Sequence, residues 1–326
     1  MDIKEKVKKL PSSSGVYIMK DSLGDTIYVG KSKNLKSRVG SYFINSKRRS
    51  PKVIKLVKNL KDFEYILTDT EFEALLLECK LIKEIKPRYN RQMKTPKGYC
   101  YIKIKMNEKY PSIDMCIEVN NDEGSIYFGP YTSKSTVEKA ILGIKEHNKI
   151  LCTNAAKKTS GCLKYSMNLC IGMCEDKASK EYYNEVACKV IKLFNGTDLT
   201  MLKEIEERME KASENLDFET AVKCRDHIKA MKYLIDSAKV INFVENSRNI
   251  VFIEFLNEKE IKLFLITYNK VIFSEKYNLS DLNTQEVKSN IKKYFKNPLE
   301  KIVNIDKNDI DEIHIIYNYL KSKDNV

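Results

Sequence analysis

The sequence holds no run approaching about 20 uninterrupted apolar residues, so no segment reads as a membrane span. Its basic start, MDIKEKVKKL, has no apolar core behind it, which speaks against a signal peptide. The expected place is therefore the cytosol, where cysteines remain thiols unless a metal claims them. Histidine is scarce: the three, His147, His227 and His314, are scattered with no pair at ligand spacing, and none is assigned a function. The nine cysteines include no Cys-x₂-Cys knuckle of the kind zinc usually takes. There is no internal repeat and no low-complexity tract. What remains is ordinary for folded protein: 42% hydrophobic and 32% charged residues over a length of 326, enough for two or three compact domains with buried cores.

The net charge of +13 is unevenly spread. Residues 1–100 carry 23 Lys and Arg against 11 Asp and Glu, a balance of +12, while residues 101–326 carry 35 against 34. Such asymmetry suits a polyanion, DNA or RNA, although a solvated Lys-rich face has the same composition.

The hydrophobic pattern predicts mixed α and β structure. Gly15–Met19 and Thr26–Val29 read as strands joined by a hairpin turn at Asp21–Asp25. Helices are expected at 33–43 and 51–60, and a third strand at Phe63–Leu67. From Thr70 to Lys86 a helix is marked by Phe72, Leu75, Leu76, Cys79 and Ile82 or Lys83, with Thr70 and Glu73 placed as a capping box and Pro87 beyond its end. β structure at 99–131 gives way to helices at 133–149 and 179–195, with Asn195-Gly196 as a C-cap. Residues 199–236 read as an antiparallel helical hairpin, and 239–326 as β-rich at 249–256, 261–267 and 270–275, then a helix near 281–296 and a final mixed segment. The chain divides into an N-terminal domain at 1–95, a middle region at 96–198, the hairpin at 199–236 and a C-terminal α/β segment at 237–326.

Three groups of residues carry chemistry. In the first, Tyr17 and Tyr28 share one side of paired strands if the register allows it. Lys31 follows on the strand exit, and Arg38 and Tyr42 lie four apart on one helical face. Glu78, inside LLLECKLI, is a carboxylate that needs a partner, and a metal ion or a cation is the natural one. Phosphodiester hydrolysis needs a water, a base, a metal for the scissile oxygen and cations for developing charge, and this set supplies each. Packing tyrosines with surface cations would look the same in residue type alone.

The second group is Cys152, Cys162, Cys170 and Cys174, four thiols within 23 positions of the segment 150–176. Metal is the better reading than disulfides in the cytosol, and spacing leaves zinc, iron–sulfur and free thiols open. Cys79 and Cys224 fall on apolar stripes and read as core thiols. The third group is the hairpin, whose two apolar stripes need cover from this chain or from a partner; pattern alone favours this chain.

In order along the chain, Gly15-Val16-Tyr17, Tyr28-Val29-Gly30-Lys31, Lys33-Asn34-Leu35, Arg38, Tyr42, Glu78 and Pro87-Arg88-Tyr89-Asn90 resemble the GIY-YIG nucleases. They look most like the N-terminal domain of the UvrC family, the excinucleases of bacterial nucleotide excision repair. The resemblance implies a DNA endonuclease using Mg²⁺ or Mn²⁺. Tyr17 would serve as general base or orient the attacking water, Glu78 would ligate the metal, and Arg38 would stabilise the pentavalent phosphate. Tyr28, Tyr42, Lys31 and Asn90 would complete the hydrogen-bond network.

By the same resemblance the four cysteines match a region that holds a 4Fe–4S cluster. Leu216-Asp217-Phe218-Glu219 with Ala221, Arg225 and Asp226 resembles the UVR motif, which implies docking of 201–236 on UvrB, and through it an indirect link to UvrA, at damaged double-stranded DNA. The likeness is specific to about residue 236 and weaker to about 310. The sequence ends at Val326 with no helix-hairpin-helix pattern and no second nuclease, so it reads either as a truncated piece of a longer chain or as a natural short form resembling Cho, and a single incision 3′ of the lesion is expected of it. The other readings are a non-cleaving DNA- or UvrB-binding regulator and a mobile-element GIY-YIG endonuclease.

Overall fold

The computed structural model describes residues 3–44, 50–120, 122–151, 163–173, 179–246, 249–295 and 305–324. The chain gathers into two compact units, one of residues 1–96 with 244–326, the other of 97–243.

The first unit opens with α1 (Ile3–Lys8), a short helix that the sequence pattern does not announce. The chain continues through β1 (Gly15–Lys20), β2 (Thr26–Ser32), α2 (Leu35–Ser41), α3 (Pro51–Asn59), β3 (Asp62–Leu67) and α4 (Glu71–Ile85). The three strands form an antiparallel sheet in the order β2-β1-β3. The hairpin turn closes on Asp21, whose carboxylate accepts from the Leu23 and Asp25 amides. Alternation along β1 sorts its side chains between two clusters: Val16 and Ile18 pack with Val29, Ala74 and Ile82, whereas Tyr17 and Met19 pack with Leu35, Val39, Tyr42 and Phe63.

The capping box forms as expected: Thr70 accepts from the Glu73 amide and the Glu73 carboxylate accepts from the Thr70 amide. An N-cap of this kind is worth about 1 kcal/mol. Lys86 ends α4 in the left-handed region at φ 54°, ahead of Pro87.

The second unit contains β4 (Cys100–Lys105), β5 (Ser112–Cys116), β6 (Ser125–Tyr131), α5 (Lys134–His147), α6 (Leu163–Ser166), α7 (Lys180–Phe194), α8 (Thr200–Glu214) and α9 (Phe218–Asn246). Its sheet runs β5-β4-β6. The helical hairpin is present, with α9 longer than the pattern suggests. Leu202, Ile205, Ala212, Cys224, Ile228, Met231 and Ile235 are buried, and all but Ala212 lie in one core cluster with Ile102, Ala140, Val190 and Phe194. The apolar stripes are thus covered within the unit, as the pattern alone favours. Leu216 departs from that stripe: it sits in the turn at φ 59° and is 73% exposed.

The C-terminal part adds β7 (Asn249–Phe255), β8 (Glu260–Thr267), β9 (Lys270–Asn278), α10 (Thr284–Phe295) and α11 (Ile310–Asp324). Its antiparallel sheet is ordered β7-β8-β9, and the final mixed segment is a helix. The sequence sets 237–326 apart, whereas in the structure 244–326 belongs to the same unit as the first 96 residues. Helix α4 is the join. Phe72, fully buried, stacks on Tyr319 at 5.0 Å and meets Phe264 and Phe252 edge-on. Buried Lys262 of β8 pairs with Asp69 at 2.5 Å and Glu73 at 2.6 Å, and Lys83 pairs with Glu312. Helix α4 is thus covered on two faces. Ala74, Leu77, Leu81 and Ile82 face the first sheet, and Phe72, on the stripe read from the sequence, faces the C-terminal part.

Candidate active site

The register of β1 and β2 sets the geometry of the site. Tyr17 stands opposite Gly30, and Tyr28 opposite Met19, so the two tyrosines are diagonal neighbours on one face, with ring centroids 6.1 Å apart. Both motif glycines are places of close approach. A Cβ on Gly30 would lie 2.4 Å from the Tyr17 Oη and 2.5 Å from its Cζ, and one on Gly15 would lie 2.3 Å from the Ile66 carbonyl oxygen.

Asn34 caps α2 by accepting from the Ser37 amide, and that helix presents Arg38 and Tyr42 to the same face. The Tyr42 hydroxyl shares a 3.0 Å hydrogen bond with that of Tyr17, and the Arg38 guanidinium lies 5.6 Å from the Tyr42 ring centroid. Tyr17 is fully buried. Burial, with Tyr42 and Tyr28 beside it, pushes its phenol far above the ordinary range. Tyr28, half-buried in the same cluster, is pushed up to about 12, first by burial and then by Tyr42 and Glu78. The nearby phenols, Tyr17 foremost, raise the Arg38 guanidinium further.

Glu78 lies on the α4 face that carries Ala74 and Ile82, against β2. Its Oε1 accepts from the Lys31 backbone amide at 3.2 Å, and burial lifts its carboxyl above the usual range. Among the described residues no Lys or Arg pairs with it. The Lys31 ammonium is turned instead to Glu71, at 2.5 Å, which also holds Lys33 at 2.9 Å. Asn90 is buried and fully engaged with one residue of β2: it accepts from the Val29 amide at 3.0 Å and donates to the Val29 carbonyl at 2.9 Å. It clamps the strand edge from the side, which differs from the expected place in a network around the nucleophile.

The structure therefore brings Tyr17, Tyr28, Tyr42 and Arg38 together, with Glu78 close enough to Tyr28 and Arg38 to act on them electrostatically. A half-desolvated carboxylate with one amide on it, beside phenol hydroxyls, is a hard-oxygen donor set that fits Mg²⁺ with part of its water retained. Glu71 is the residue that the sequence pattern hides, because a first-turn glutamate reads simply as helix-dipole complement. Of the four clustered cysteines, Cys152, Cys162 and Cys174 lie outside the described residues. Cys170 is buried and forms a β-bridge with Ile150. Among the described residues no three His, Cys, Asp or Glu side chains group as a metal site, and no helix is long and apolar enough to cross a membrane.

A three-stranded sheet with tyrosines diagonal across a motif glycine, an arginine helix on one face and a glutamate helix on the other, is the core of a GIY-YIG domain. Family comparison agrees. A UvrC-like GIY-YIG domain matches residues 13–91, the UvrC/Cho excinuclease middle domain matches 99–193, and the UvrB/uvrC motif matches 200–234. The chain belongs to the UvrC family.

Among its relatives, the UvrABC system protein C of Acetivibrio thermocellus is 38% identical over 334 residues, covering 99% of this chain and 53% of that protein. That of Clostridium perfringens is 40% identical over 303 residues, covering 90% and 48%. The chain spans about half the length of the curated relatives it matches. A crystal structure of the GIY-YIG N-terminal endonuclease domain of UvrC from Thermotoga maritima, bound to magnesium as its catalytic divalent cation, is 36% identical, covers 28% of this chain and all of that one, and has a TM-score of 0.25.

Proposed function

We propose that this protein is a DNA endonuclease of nucleotide excision repair that hydrolyses one phosphodiester bond, 3′ of the lesion, when recruited to damaged duplex by UvrB after UvrA. The observation that carries the reading is the convergence of Tyr17, Tyr28, Tyr42 and Arg38 beside the half-buried Glu78, which among the described residues pairs with no Lys or Arg. Mg²⁺ or Mn²⁺ held by Glu78 would polarise the scissile phosphate oxygen and favour hydroxide over water.

The side chains do the rest. Arg38, exposed at the lip of the tyrosine cluster, meets the charge that grows on the phosphate. Tyr17, hydrogen-bonded to Tyr42, acts as general base or orients the attacking water. Lys31 is anchored by Glu71 at the metal ligand's edge, and Asn90 holds β2 through both polar groups of Val29.

The tip of the helical hairpin supports the UvrB reading for 201–236: Leu216, Phe218 and Val222 are exposed there while the stripes are buried. For Cys152, Cys162, Cys170 and Cys174 the family resemblance supports a 4Fe–4S cluster, to be tested by iron content and absorbance near ~400 nm after anaerobic purification.

The main experiment incubates lesion-bearing duplex with UvrA, UvrB, ATP and Mg²⁺ and maps every cut. One nick 3′ of the lesion, abolished by Glu78→Gln with folding intact and slowed on the order of 10²-fold by Arg38→Ala, is the expected result. Cleavage retained by purified Glu78→Gln overturns the active site. Two wild-type cuts overturn single incision, and binding with no cut makes the protein a non-cleaving regulator.

A further inference from the structure

Beside the tyrosine face, α3 and the segment after α4 enclose a cleft of about 250 Å³ lined by Pro51, Lys52, Lys55, Arg88, Tyr89 and Arg91. Four of the six lining residues are cations and none is acidic. Among the described residues none of the four pairs with a carboxylate, in a protein whose other lysines repeatedly do. Instead Lys52 and Arg91 stand close: desolvation, then the charge of Arg91, pulls the Lys52 ammonium below its ordinary value.

Like charges are held in a concavity only where structure forces them, and here it does. Ser50 caps α3 and starts it at Pro51, so Lys52 and Lys55 fall on one helical face. The opposite wall is stapled down by Tyr89, whose amide donates to the Ile27 carbonyl and whose hydroxyl accepts from Asn59, and by the Asn90 clamp on Val29. The cleft adjoins the site, since Lys52 Nζ lies 5.9 Å from the Tyr28 ring centroid.

We propose that this cleft seats a backbone phosphate of the DNA strand being cut, neighbouring the scissile one, so that Lys52, Lys55, Arg88 and Arg91 set the strand's register over Tyr28 and Glu78. The assignment rests on the nuclease reading above and adds the place where the substrate strand is gripped. Unpaired cations in a preformed concavity satisfy a phosphodiester at little reorganisation, and each phosphate so neutralised releases counterions.

The test measures binding of a fluorescein-labelled DNA duplex to the full chain in EDTA, where metal-dependent cutting is silent, between about 50 and 200 mM NaCl. Lys52→Ala/Arg91→Ala should raise Kd about 10-fold and flatten the slope of log K against log[NaCl] by about 1. Lys55→Ala/Arg88→Ala, at exposed positions, gives the same readout should the first pair misfold. Lys259→Ala/Lys270→Ala, which removes equal charge at exposed positions elsewhere, should move neither quantity.

Cleft variants with wild-type Kd and slope, while the wild type binds and nicks, overturn the cleft and leave the nuclease reading standing. A wild type that neither binds nor nicks overturns both. Inorganic phosphate that binds the wild type and not the variants, yet leaves the duplex bound at constant ionic strength, reassigns the cleft to free anions and overturns the strand grip.

Discussion

Replacing Gly30 by alanine probes the arrangement of the site without touching any functional group. The new Cβ would sit 2.4 Å from the Tyr17 Oη, 2.5 Å from its Cζ and 2.9 Å from the Tyr28 Cε1, where ordinary contact starts at 3.4 Å. Tyr17 must therefore retreat by about 1 Å, yet it is fully buried among Leu35, Val39 and Tyr42, in an interior that packs closely. Overpacking of this size costs about 1–3 kcal/mol, which lowers the melting temperature by about 2–4 °C per kcal/mol in a unit this large.

The same retreat breaks the alignment of Tyr17 with Tyr42 and Tyr28, and a displacement of about 1 Å in a catalytic group costs on the order of 10²-fold in rate. The assay pairs single-turnover nicking with thermal denaturation, on the wild-type and Tyr17→Ala backgrounds. On Tyr17→Ala the stability cost of Gly30→Ala should shrink, because two of its three close contacts are gone. A Gly30→Ala protein that melts and nicks like wild type, or a stability cost unchanged by Tyr17→Ala, would refute the argument that glycine is there for the tyrosine ring.

Asn90→Ala should cost about 2–4 kcal/mol, since it leaves the buried Val29 amide and carbonyl unpartnered. It should lower the nicking rate more than the affinity for Mg²⁺, and an effect on metal affinity alone, by isothermal titration, would place Asn90 at the metal instead. Phe72→Ala empties the ring cluster with Phe252, Phe264 and Tyr319 and should destabilise the first unit by about 3–5 kcal/mol in urea unfolding; a loss below that of a surface substitution would contradict the role of 244–326 as a clamp on α4.

Asp69→Asn tests the Lys262 pair. The hydrogen bond from Lys262 holds the Asp69 carboxyl below its ordinary value of 3.8, so the stabilisation is present above that value and is lost as pH falls through the lower, folded-state pKa. The variant should melt lower than wild type at pH 7 and converge with it in acid; a constant gap at all pH would exclude the ion pair as the cause.

Local chemistry in the sequence was sufficient for most of the elements, though not for α1, the length of α9 or the last helix. Short β-type runs bounded by turn residues placed β1, β2 and β3, Thr70 and Glu73 placed the start of α4, and the four-residue step placed Arg38 with Tyr42, because each depends on near neighbours in sequence. The ordered motif named the family for the same reason: residue identity and order survive in one dimension. What the sequence could not decide is which partner each side chain meets across the chain.

Glu78 reads as a carboxylate in need of a cation, and whether that cation was Lys31 depended on a contest that Glu71 won in three dimensions. Asn90 reads as part of a polar network, and only the fold turned both of its polar atoms onto Val29. The apolar stripe of α4 gives no hint of its cover, since burial against a sheet and burial against a segment some 190 residues away produce the same periodicity. Spacing thus set helices, strands and their faces. Long-range packing alone decided that residues 244–326 belong to the unit holding the tyrosine cluster, and that four cations from α3 and the turn after α4 stand together with no carboxylate paired to them among the described residues.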